Sequence, residues 1–389
     1  MLRLAYLYRN LTRNPMRALL TCAAVALPIT IYVLSMSVVD GVNRFLDNSA
    51  RQLRLAVTHR ASIINPLPAG YRAKIESLDP TRTRLLSVCG IDWIGGKIEG
   101  DPRPLSALGA DHDTFIQTFP EYRLTPGEIA EWNRDRRAII VGAAAARQFG
   151  WSVGDRITIN PSLPPYQPME FRVISTAPRA EDPLTLWFHR QYLVEARRQA
   201  GWEEERVGFY FIKCASQADL EHFRAAIDAL FANTPDETRT QDEKAFMNEF
   251  ITQQFNLPRN LTILAAVTVF VAVMAAANTM SMNFRDRLNE LATLKAMGFR
   301  GTLVSAIIQA ESLFLCTVGG LLGALGPYLA FNHTPLRDFT VPLIQQLDVR
   351  AATCGKAMLI AAGISVLAAL WPAWLAARMN VVTALRNLE

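Results

Sequence analysis

The sequence lacks the short motifs that mark nucleotide binding and several common kinds of catalysis. The GxxxxGK[ST] pattern occurs nowhere in the 389 residues, so the chain carries no P-loop. The GxSxG elbow and the HExxH pattern of zinc proteases are missing as well. Histidine is scattered, and only the DHD segment, residues 111–113, sets one between two carboxylates. Consecutive side chains on a regular element point in different directions, so we interpret DHD as a solvated turn rather than a metal site. With these motifs missing, the sequence gives little support for an enzyme.

Cysteine is also scarce, and its spacing indicates no metal site. The five cysteines include none in CxxC spacing, and two of them fall in long apolar runs. We interpret them as small buried apolar side chains. A disulfide between Cys89 and Cys214 stays open for a chain that folds in an oxidising compartment.

Charge is almost absent from four long stretches. The first three contain one acidic residue, Glu311, and the fourth is charged only at Lys356. About 20 apolar residues cross a bilayer, whereas strands are shorter and a helix in a soluble core would show a polar face. The first stretch is not followed by a small-residue cleavage site, so we expect it to remain as an anchor rather than to be removed as a signal peptide. The sequence therefore predicts an α-helical membrane protein with transmembrane helices at 18–39, 261–282, 303–331 and 356–377.

The charges between these spans predict the orientation of the chain. The segments 1–17, 283–301 and 378–389 each carry more basic than acidic side chains. The region 40–260 has 27 basic and 29 acidic side chains, and the loop 332–355 is neutral. Since short basic segments stay in the cytoplasm, we expect both termini and 283–301 inside and the large domain outside. The net charge of +5 is then a topology signal, and it does not indicate a nucleic-acid partner.

The region 40–260 has the composition of a globular α/β domain. Both of its ends keep a helical pattern beyond the membrane, which predicts a helical stalk. Inside it, 136–141, 154–160, 169–175 and 207–214 read as strands, and 142–150 and 219–232 as helices, with Asp219 as the cap of the second. We expect two small α/β lobes. The first 17 residues place Leu4, Tyr8 and Leu11 at helical spacing among arginines, which predicts an amphipathic helix on the inner membrane surface.

The spans contain few residues with a specific role. Gly319, Gly323 and Gly326 fall near one face of the third span, which favours close helix packing, although glycines are also tolerated elsewhere in membrane helices. The intramembrane polar groups are Glu311 and the amide of Asn278, and a single carboxylate does not make a proton relay.

The segment NFRDRLNELATLKAMGFRG (283–301) predicts a charged amphipathic helix between two spans. Its apolar arc contains Phe284, Leu288, Leu291, Ala292 and Phe299, interrupted by Lys295, and its polar arc contains Asp286, Asn289, Glu290 and Thr293. Two interpretations remain open from these residues. The segment is either a basic cytoplasmic loop that is helical, or a helix whose polar arc docks on a cytoplasmic partner.

Five local patterns in order resemble the FtsX-like, MacB-type permeases of ABC transporters. They are RNLTRNPMRALLT (9–21), IIVGAAAARQFGWSVGDRITI (139–159), RDRLNELATLKAMG (285–298), the Glu-Ser pair at 311–312 and PAWLAARMNVVTALRNLE (372–389). Two positions depart from the family: the proline usual before the final Ala-Leu-Arg is absent, and Leu291 stands where Ile or Val is more common. The external domain resembles the family closely only near 137–160.

The resemblance implies a cytoplasmic coupling helix at 283–301, a periplasmic domain at 40–260, a periplasmic loop at 332–355 and an inner-membrane location in bacteria. It implies a homo- or heterodimer of permease chains bound to two copies of an ABC ATPase, with ATP and Mg on that partner and no cofactor in this chain. Membrane lipids, and in some members a periplasmic adaptor and an outer-membrane channel, complete the set of partners. The expected ATPase-coupling residues are Arg285, Asp286, Arg287, Asn289, Glu290, Thr293, Leu294, Met297 and Gly298.

The function expected from this resemblance is mechanotransmission. ATP hydrolysis on a separate chain would move the periplasmic domain to export or extract a lipid, lipoprotein or other amphiphile. The alternative is an envelope regulator, in which the same motion activates an external cell-wall hydrolase and nothing is transported.

Overall fold

A computed structural model of the chain describes residues 15–98, 101–177, 185–202, 204–255, 257–334, 336 and 347–378. These residues form two compact units. The sheet unit is built from Val42–Phe255, and the membrane-helix unit is built from the chain up to Gly41 and from most of the chain after Phe255.

The helices include four that are much longer than the rest. A short 3₁₀ helix is also present at Pro120–Tyr122. The α-helices are, in chain order, α1 Pro15–Arg51, α2 Tyr71–Glu76, α3 His112–Thr118, α4 Pro126–Arg134, α5 Ala143–Phe149, α6 Arg190–Gln199, α7 Gln217–Leu230, α8 Glu243–Phe255, α9 Leu257–Asp286, α10 Leu288–Ala296, α11 Gly301–His333 and α12 Ala351–Arg378.

The four long helices α1, α9, α11 and α12 have the length and the apolar composition needed to cross a membrane. The predicted class, four membrane helices with a sheet-containing domain between the first and the second, is confirmed. Each predicted span lies within one of these helices, which extend further at one or both ends. The predicted surface helix 1–17 and the tail 378–389 lie outside the described residues, apart from the first turn of α1 and Arg378.

Most strands join one mixed sheet in the order β13-β1-β12-β3-β6-β10-β7-β9-β8-β4-β5, and β2 pairs with β11. Two neighbouring pairs, β6 with β10 and β7 with β9, are parallel, and the other pairs are antiparallel. The strands are β1 Arg54–His59, β2 Leu67–Pro68, β3 Leu85–Trp93, β4 Gly96–Ile98, β5 Asp101–Leu105, β6 Ala107–Ala110, β7 Ala138–Val141, β8 Arg156–Pro161, β9 Met169–Ser175, β10 Leu186–His189, β11 Arg206–Val207, β12 Phe209–Cys214 and β13 Thr238–Asp242.

Alternate residues of these strands face opposite sides of the sheet, and each side has its own hydrophobic core. The core on one side is a single cluster, and the core on the other side consists of two. On one face a single aromatic cluster, which includes Phe115, Trp187 and Phe211, extends across the sheet. On the other face one cluster covers β1, β3 and β12 beneath α2 and α7, and another covers β7 to β10 beneath α5 and α6. The two α/β lobes expected from the sequence correspond to these two halves, which share one continuous sheet.

The local predictions agree best where the pattern is strongest. The strand at 169–175 has the predicted bounds, and α5 ends at Gly150, whose φ of +73° suits a residue without a side chain. The predicted cap of α7 is wrong, because Ser216 occupies that position and its hydroxyl accepts a hydrogen bond from the backbone N–H of Asp219. Asp219 lies one turn inside the helix, where its carboxylate pairs with Arg84.

The interpretation of DHD as a solvated turn is also wrong. Asp111 is buried at the end of β6, directly before α3, and its carboxylate accepts hydrogen bonds from Arg190, Arg72 and the backbone N–H of Gly90. Asp113 pairs with Arg72 at 2.6 Å. The segment therefore contributes to a network of ion pairs inside the sheet unit.

The disulfide that the sequence left open is not formed. All five cysteines are free. Cys89 belongs to the aromatic cluster, whereas Cys214 belongs to the cluster on the opposite face of the sheet. Burial raises the pKa of both thiols to about 12, so neither is a reactive thiolate near neutral pH.

Candidate coupling site

The segment 283–301 forms a short helix with a break before it and a turn after it, not the single helix that the sequence predicts. Helix α9 continues to Asp286, Arg287 is not helical, and α10 covers Leu288–Ala296. Gly298 then takes a φ of +92°. Its N–H bonds to the carbonyl of Lys295, and the next N–H bonds to the carbonyl of Leu294, which is the Schellman pattern that ends a helix.

The inner face of α10 packs on the ends of α11 and α12. Leu291 and Ala292 are buried against Val304 and Ile308 of α11 and Ala376 of α12. Leu294 and Phe284 pack against the same cluster. Leu294, one of the expected ATPase-coupling residues, therefore lies on the inner face. In contrast Phe299, which the sequence placed on the apolar arc, is 45% exposed.

Arg287 also points inward, because it forms an ion pair with Glu311 of α11. Its Nη1 donates to Glu311 Oε2 at 2.7 Å, and the side-chain amide of Asn283 donates to Oε1 of the same carboxylate at 2.7 Å. The Arg287 and Glu311 side chains are only 14% and 7% exposed. Arg287, expected from the sequence to couple to the ATPase, and Glu311, expected to be an isolated carboxylate, thus form an ion pair. This pair joins the break before α10 to α11.

Charged side chains lie at both ends of α10, and the one at the C-terminal end binds α12. Arg287 lies 3.4 Å from Glu290 in the first turn of α10. Lys295, in the last turn, donates to the carbonyl of Ala377 at 2.8 Å, and a cation at a helix C-terminus is favourable. Any Cβ at Gly301 would lie 2.7 Å from the same carbonyl, so α11 starts in direct contact with the end of α12. The last turn of α10 and the first residue of α11 therefore both contact the end of α12.

The outer face of the segment is exposed and mostly polar. Thr293 donates its hydroxyl to the carbonyl of Asn289, one turn earlier in α10. Among the described residues, no group of three or more His, Cys, Asp or Glu side chains could hold a metal ion. This outer face presents charged, polar and apolar side chains together. Its exposed members from the sequence-predicted set are Arg285, Asp286, Asn289, Thr293, Met297 and Gly298.

The predicted packing glycines have different surroundings. A Cβ at Gly319 would lie 2.7 Å from the Cys22 carbonyl of α1, and a Cβ at Gly323 would lie 2.4 Å from the carbonyl of Ala26. At Gly326 a Cβ would meet no atom within 4 Å. Asn278 is exposed on α9.

A polar seam between α11 and α12 has no clear signal in the sequence. Ser305 donates to the carbonyl of Ala373, and Gln309 and Ser312 both donate to the carbonyl of Ser365. These side chains occur at i, i+4 and i+7, a spacing that indicates one helix face but not which helix it meets.

Comparison with known proteins gives two family matches that together cover most of the chain. Residues 18–230 match the MacB-like periplasmic core domain, and residues 262–381 match the FtsX-like permease C-terminal region. The macrolide export ATP-binding/permease protein MacB of Syntrophobacter fumaroxidans is 23% identical over 73% of this chain. The ABC transporter permease protein Rv0987 of Mycobacterium tuberculosis is 25% identical over 49% of it.

These alignments span 37% and 23% of the relatives' own lengths. Among solved structures, the periplasmic region of MacB from Actinobacillus actinomycetemcomitans is 10% identical, with a TM-score of 0.33, and the match covers 52% of this chain and 94% of that one.

Proposed function

Because this chain belongs to the MacB-type, FtsX-like family of ABC transporter permeases, with a family-type extracytoplasmic domain between its first and second spans, we propose that it works by mechanotransmission. In this proposal an ABC ATPase on a separate chain binds and hydrolyses ATP with Mg, and the resulting motion reaches the extracytoplasmic domain through the membrane helices. The chain itself would carry no catalytic site.

The observation that carries the proposal is the two-faced helix α10. Its inner face is held by Leu291, by the Arg287–Glu311 pair and by Lys295, so a force on α10 would be passed to α11 and α12. Its outer face, with Asn289 and Thr293, remains available for a partner protein. A short connection with these properties suits force transfer, since each of its ends is fixed to a span.

The proposed orientation follows from the charges of the short segments. The basic excess of 1–17, 283–301 and 378–389 supports a cytoplasmic position for both termini and for α10. The large domain would then be periplasmic in a bacterium with two membranes, and the chain would lie in the inner membrane.

We propose a lipid, lipoprotein or other amphiphile as the substrate and export or extraction as the transport step. A relative named for macrolide export supports outward movement. The complex would contain a second permease chain and two ATPase copies, and it would engage a periplasmic adaptor and an outer-membrane channel where the organism has them.

The test is recovery of the ATPase with the tagged full-length chain from native membranes. We expect an ABC ATPase to be recovered with the wild type and to be lost with the double variant Asn289→Arg, Thr293→Arg, because two long cations would occupy the outer face of α10. The matched control is Gln148→Arg, which places the same cation on an exposed position of the sheet unit and should leave recovery unchanged.

Each other result has a definite meaning. Failure to recover any ATPase with the wild type would exclude mechanotransmission by this chain. Recovery of a cell-wall hydrolase without an adaptor would replace transport by envelope regulation. Normal recovery with the double variant would remove the docking role from α10.

A further inference from the structure

The sheet unit contains a buried arginine at the point where the chain enters the sheet from α1. Arg54 is the first residue of β1, three positions after the end of α1, and is 4% exposed. Between them, Leu53 takes a φ of +50°, which turns the chain from helix to strand at a conformational cost. The end of β12 fixes this junction, since Lys213 donates to the carbonyl of Gln52 and the backbone N–H of Cys214 donates to the carbonyl of Leu53.

The second connection leaves the sheet directly beside the first. Strand β13 pairs antiparallel with β1, so Asp242 lies opposite Leu55. Asp242 caps α8 by accepting a hydrogen bond from the N–H of Ala245 at 2.7 Å. Glu243 is the first residue of α8, the helix that precedes the second span in the chain, and is also 4% exposed.

The guanidinium of Arg54 holds both junctions at once. Its Nε and Nη2 donate to the two carboxylate oxygens of Glu243 at 2.7 and 2.8 Å, in the two-pronged geometry that only arginine offers. Its Nη1 donates to Glu121 at 2.7 Å and to the carbonyl of Thr118, the last residue of α3, at 2.9 Å. The ring of Phe119 lies 4.6 Å from its central carbon.

Burial acts against both charges of the pair. It raises the pKa of Glu243, and the neighbouring cation of Arg54 only partly offsets that shift. Burial opposes the cation, but the carboxylates of Glu243 and Glu121 outweigh it and raise the pKa of Arg54 above its ordinary value. The same two helices also share an ion pair between Asp47 and Lys244, but both of its side chains are largely exposed, so water screens it.

Stability alone is a weak reason for such a cluster. A buried ion pair loses its hydration, and well-packed apolar side chains of similar volume often serve stability equally well. The ion pair also fixes the orientation of the two side chains, because a guanidinium that donates two parallel hydrogen bonds holds its carboxylate in one geometry.

We propose that Arg54 and Glu243 are positioning residues that lock α1 and α8 to one point of the sheet, so that movement of either helix reaches the sheet together with the other. The inference rests on the proposed function, in which these two helices are the covalent routes between the membrane spans and the moving domain. Arg54 and Glu243 fix the position of the two helices relative to each other. The hydrogen bonds from Arg54 to Thr118 and Glu121 connect this pair to the aromatic cluster.

The test measures distances within the full-length chain in lipid nanodiscs, without any ATPase. Spin-labelled non-natural amino acids at Asn43 of α1 and Asn248 of α8, both exposed, report the spacing of the two helices and leave the cysteines in place. A second labelled pair, Gln148 and Gln191, reports the far half of the sheet and serves as a fold control.

Two variants weaken the lock, and one variant is the matched control. Arg54→Lys keeps the positive charge but loses the two-pronged geometry, and Glu243→Gln keeps the shape but loses the charge. We expect both to replace the narrow Asn43–Asn248 distance distribution by a broader one while the Gln148–Gln191 distribution stays unchanged. Lys244→Gln, which removes only the exposed pair with Asp47, should leave both distributions as in the wild type.

The opposite results separate positioning from a purely structural role. Unchanged Asn43–Asn248 distances in both variants, even with a lower melting temperature, would overturn the inference and leave the ATPase partnership untouched. Loss of both distance distributions in both variants would show that the pair serves the fold as a whole, which also overturns the inference. Absence of an ATPase partner would instead remove the proposed function without altering the distances.

Discussion

At the scale of single residues, Glu311 determines how the coupling segment is held. A carboxylate inside a membrane span is costly unless it is paired. Here it accepts from Arg287 and from Asn283, both at 2.7 Å, and these donors come from the end of α9 and the break before α10. One acidic side chain therefore links three consecutive segments of the chain.

We predict that Glu311→Gln leaves the chain in the membrane but destabilises the membrane-helix unit. Removing one partner of a buried ion pair costs roughly 3–5 kcal/mol, and the value here should fall at the lower end because Arg287 keeps its contact with Glu290. Thermal unfolding in detergent measures the effect. A double-mutant cycle with Arg287→Gln isolates the pair, since the second change should cost little once Glu311 is neutral.

The control for this cycle is Arg285→Gln, which removes an exposed cation two residues away. Additive effects of Arg287→Gln and Glu311→Gln would show that the two side chains do not interact in the folded chain.

A second residue predicts a pH dependence of the sheet unit. His189 is 2% exposed, stacks on His112 and lies beside the ring of Trp132. Burial, followed by the nearby His112, lowers the pKa of His189 from 6.5 to about 4, while Asp135 opposes the shift and Arg136 adds to it. The imidazole is therefore neutral in the folded domain at pH values where the unfolded chain would bind a proton.

We expect stability to fall as the pH decreases from about 6.5 to about 4 and to level off below that window. Above pH 6.5 the imidazole is neutral in both states and contributes no dependence. The loss should amount to roughly 3 kcal/mol. His189→Phe keeps a ring in the stack and should flatten this part of the profile in urea unfolding of the full-length chain. An unchanged profile would assign the titration to another group.

At the scale of elements, the contact between α1 and α11 depends on two glycines. The carbonyls of Cys22 and Ala26 approach Gly319 and Gly323, and Thr30 donates its hydroxyl to the carbonyl of Gly323 at 3.1 Å. Such close approach is typical of membrane helices that pack through small residues.

We predict that Gly323→Ala destabilises the packing of α1 on α11 by about 1–3 kcal/mol, because the new methyl group meets the Ala26 carbonyl at 2.4 Å. Gly326→Ala is the matched control in the same helix, where the methyl group enters open space. It should be neutral or slightly stabilising, since alanine favours a helix over glycine. Thermal unfolding in detergent compares the two variants, and equal effects would contradict the glycine contact.

How much the sequence predicts depends on how local the cause is. The spans and the strand 169–175 follow from nearby composition and alternation, so they are predicted well. The turn at Gly298 that ends α10 also has a local cause. It is not predicted, because the helical pattern of the sequence continues past Gly298. The sequence places Arg287 among the expected ATPase-coupling residues, because its contact with Glu311, 24 positions further along the chain, depends on how α11 packs. Arg54 and Glu243 are 189 positions apart, and only the pairing of β1 with β13 brings them together.

At the scale of the whole molecule, the proposed orientation makes one prediction that needs no partner. Positive charge in short segments sets the topology, so α10 should face the cytoplasm and the sheet unit should face the outside. A membrane-impermeant maleimide applied to intact cells or spheroplasts reads out this orientation. Three of the five native cysteines are buried and the other two lie in membrane helices, so background labelling should be low.

We expect a cysteine at Gln148 to be labelled in spheroplasts and a cysteine at Asn289 to be labelled only after the membrane is opened, since both positions are exposed in the folded chain. The parent chain without either substitution measures the background. If Asn289→Cys reacts in sealed spheroplasts and Gln148→Cys does not, the orientation is reversed, and α10 cannot meet a cytoplasmic ATPase. Labelling of both positions before opening would show that the membrane is leaky. The experiment would then be repeated with inverted vesicles. There the proposed orientation requires the cysteine at Asn289 to react and the cysteine at Gln148 to be protected.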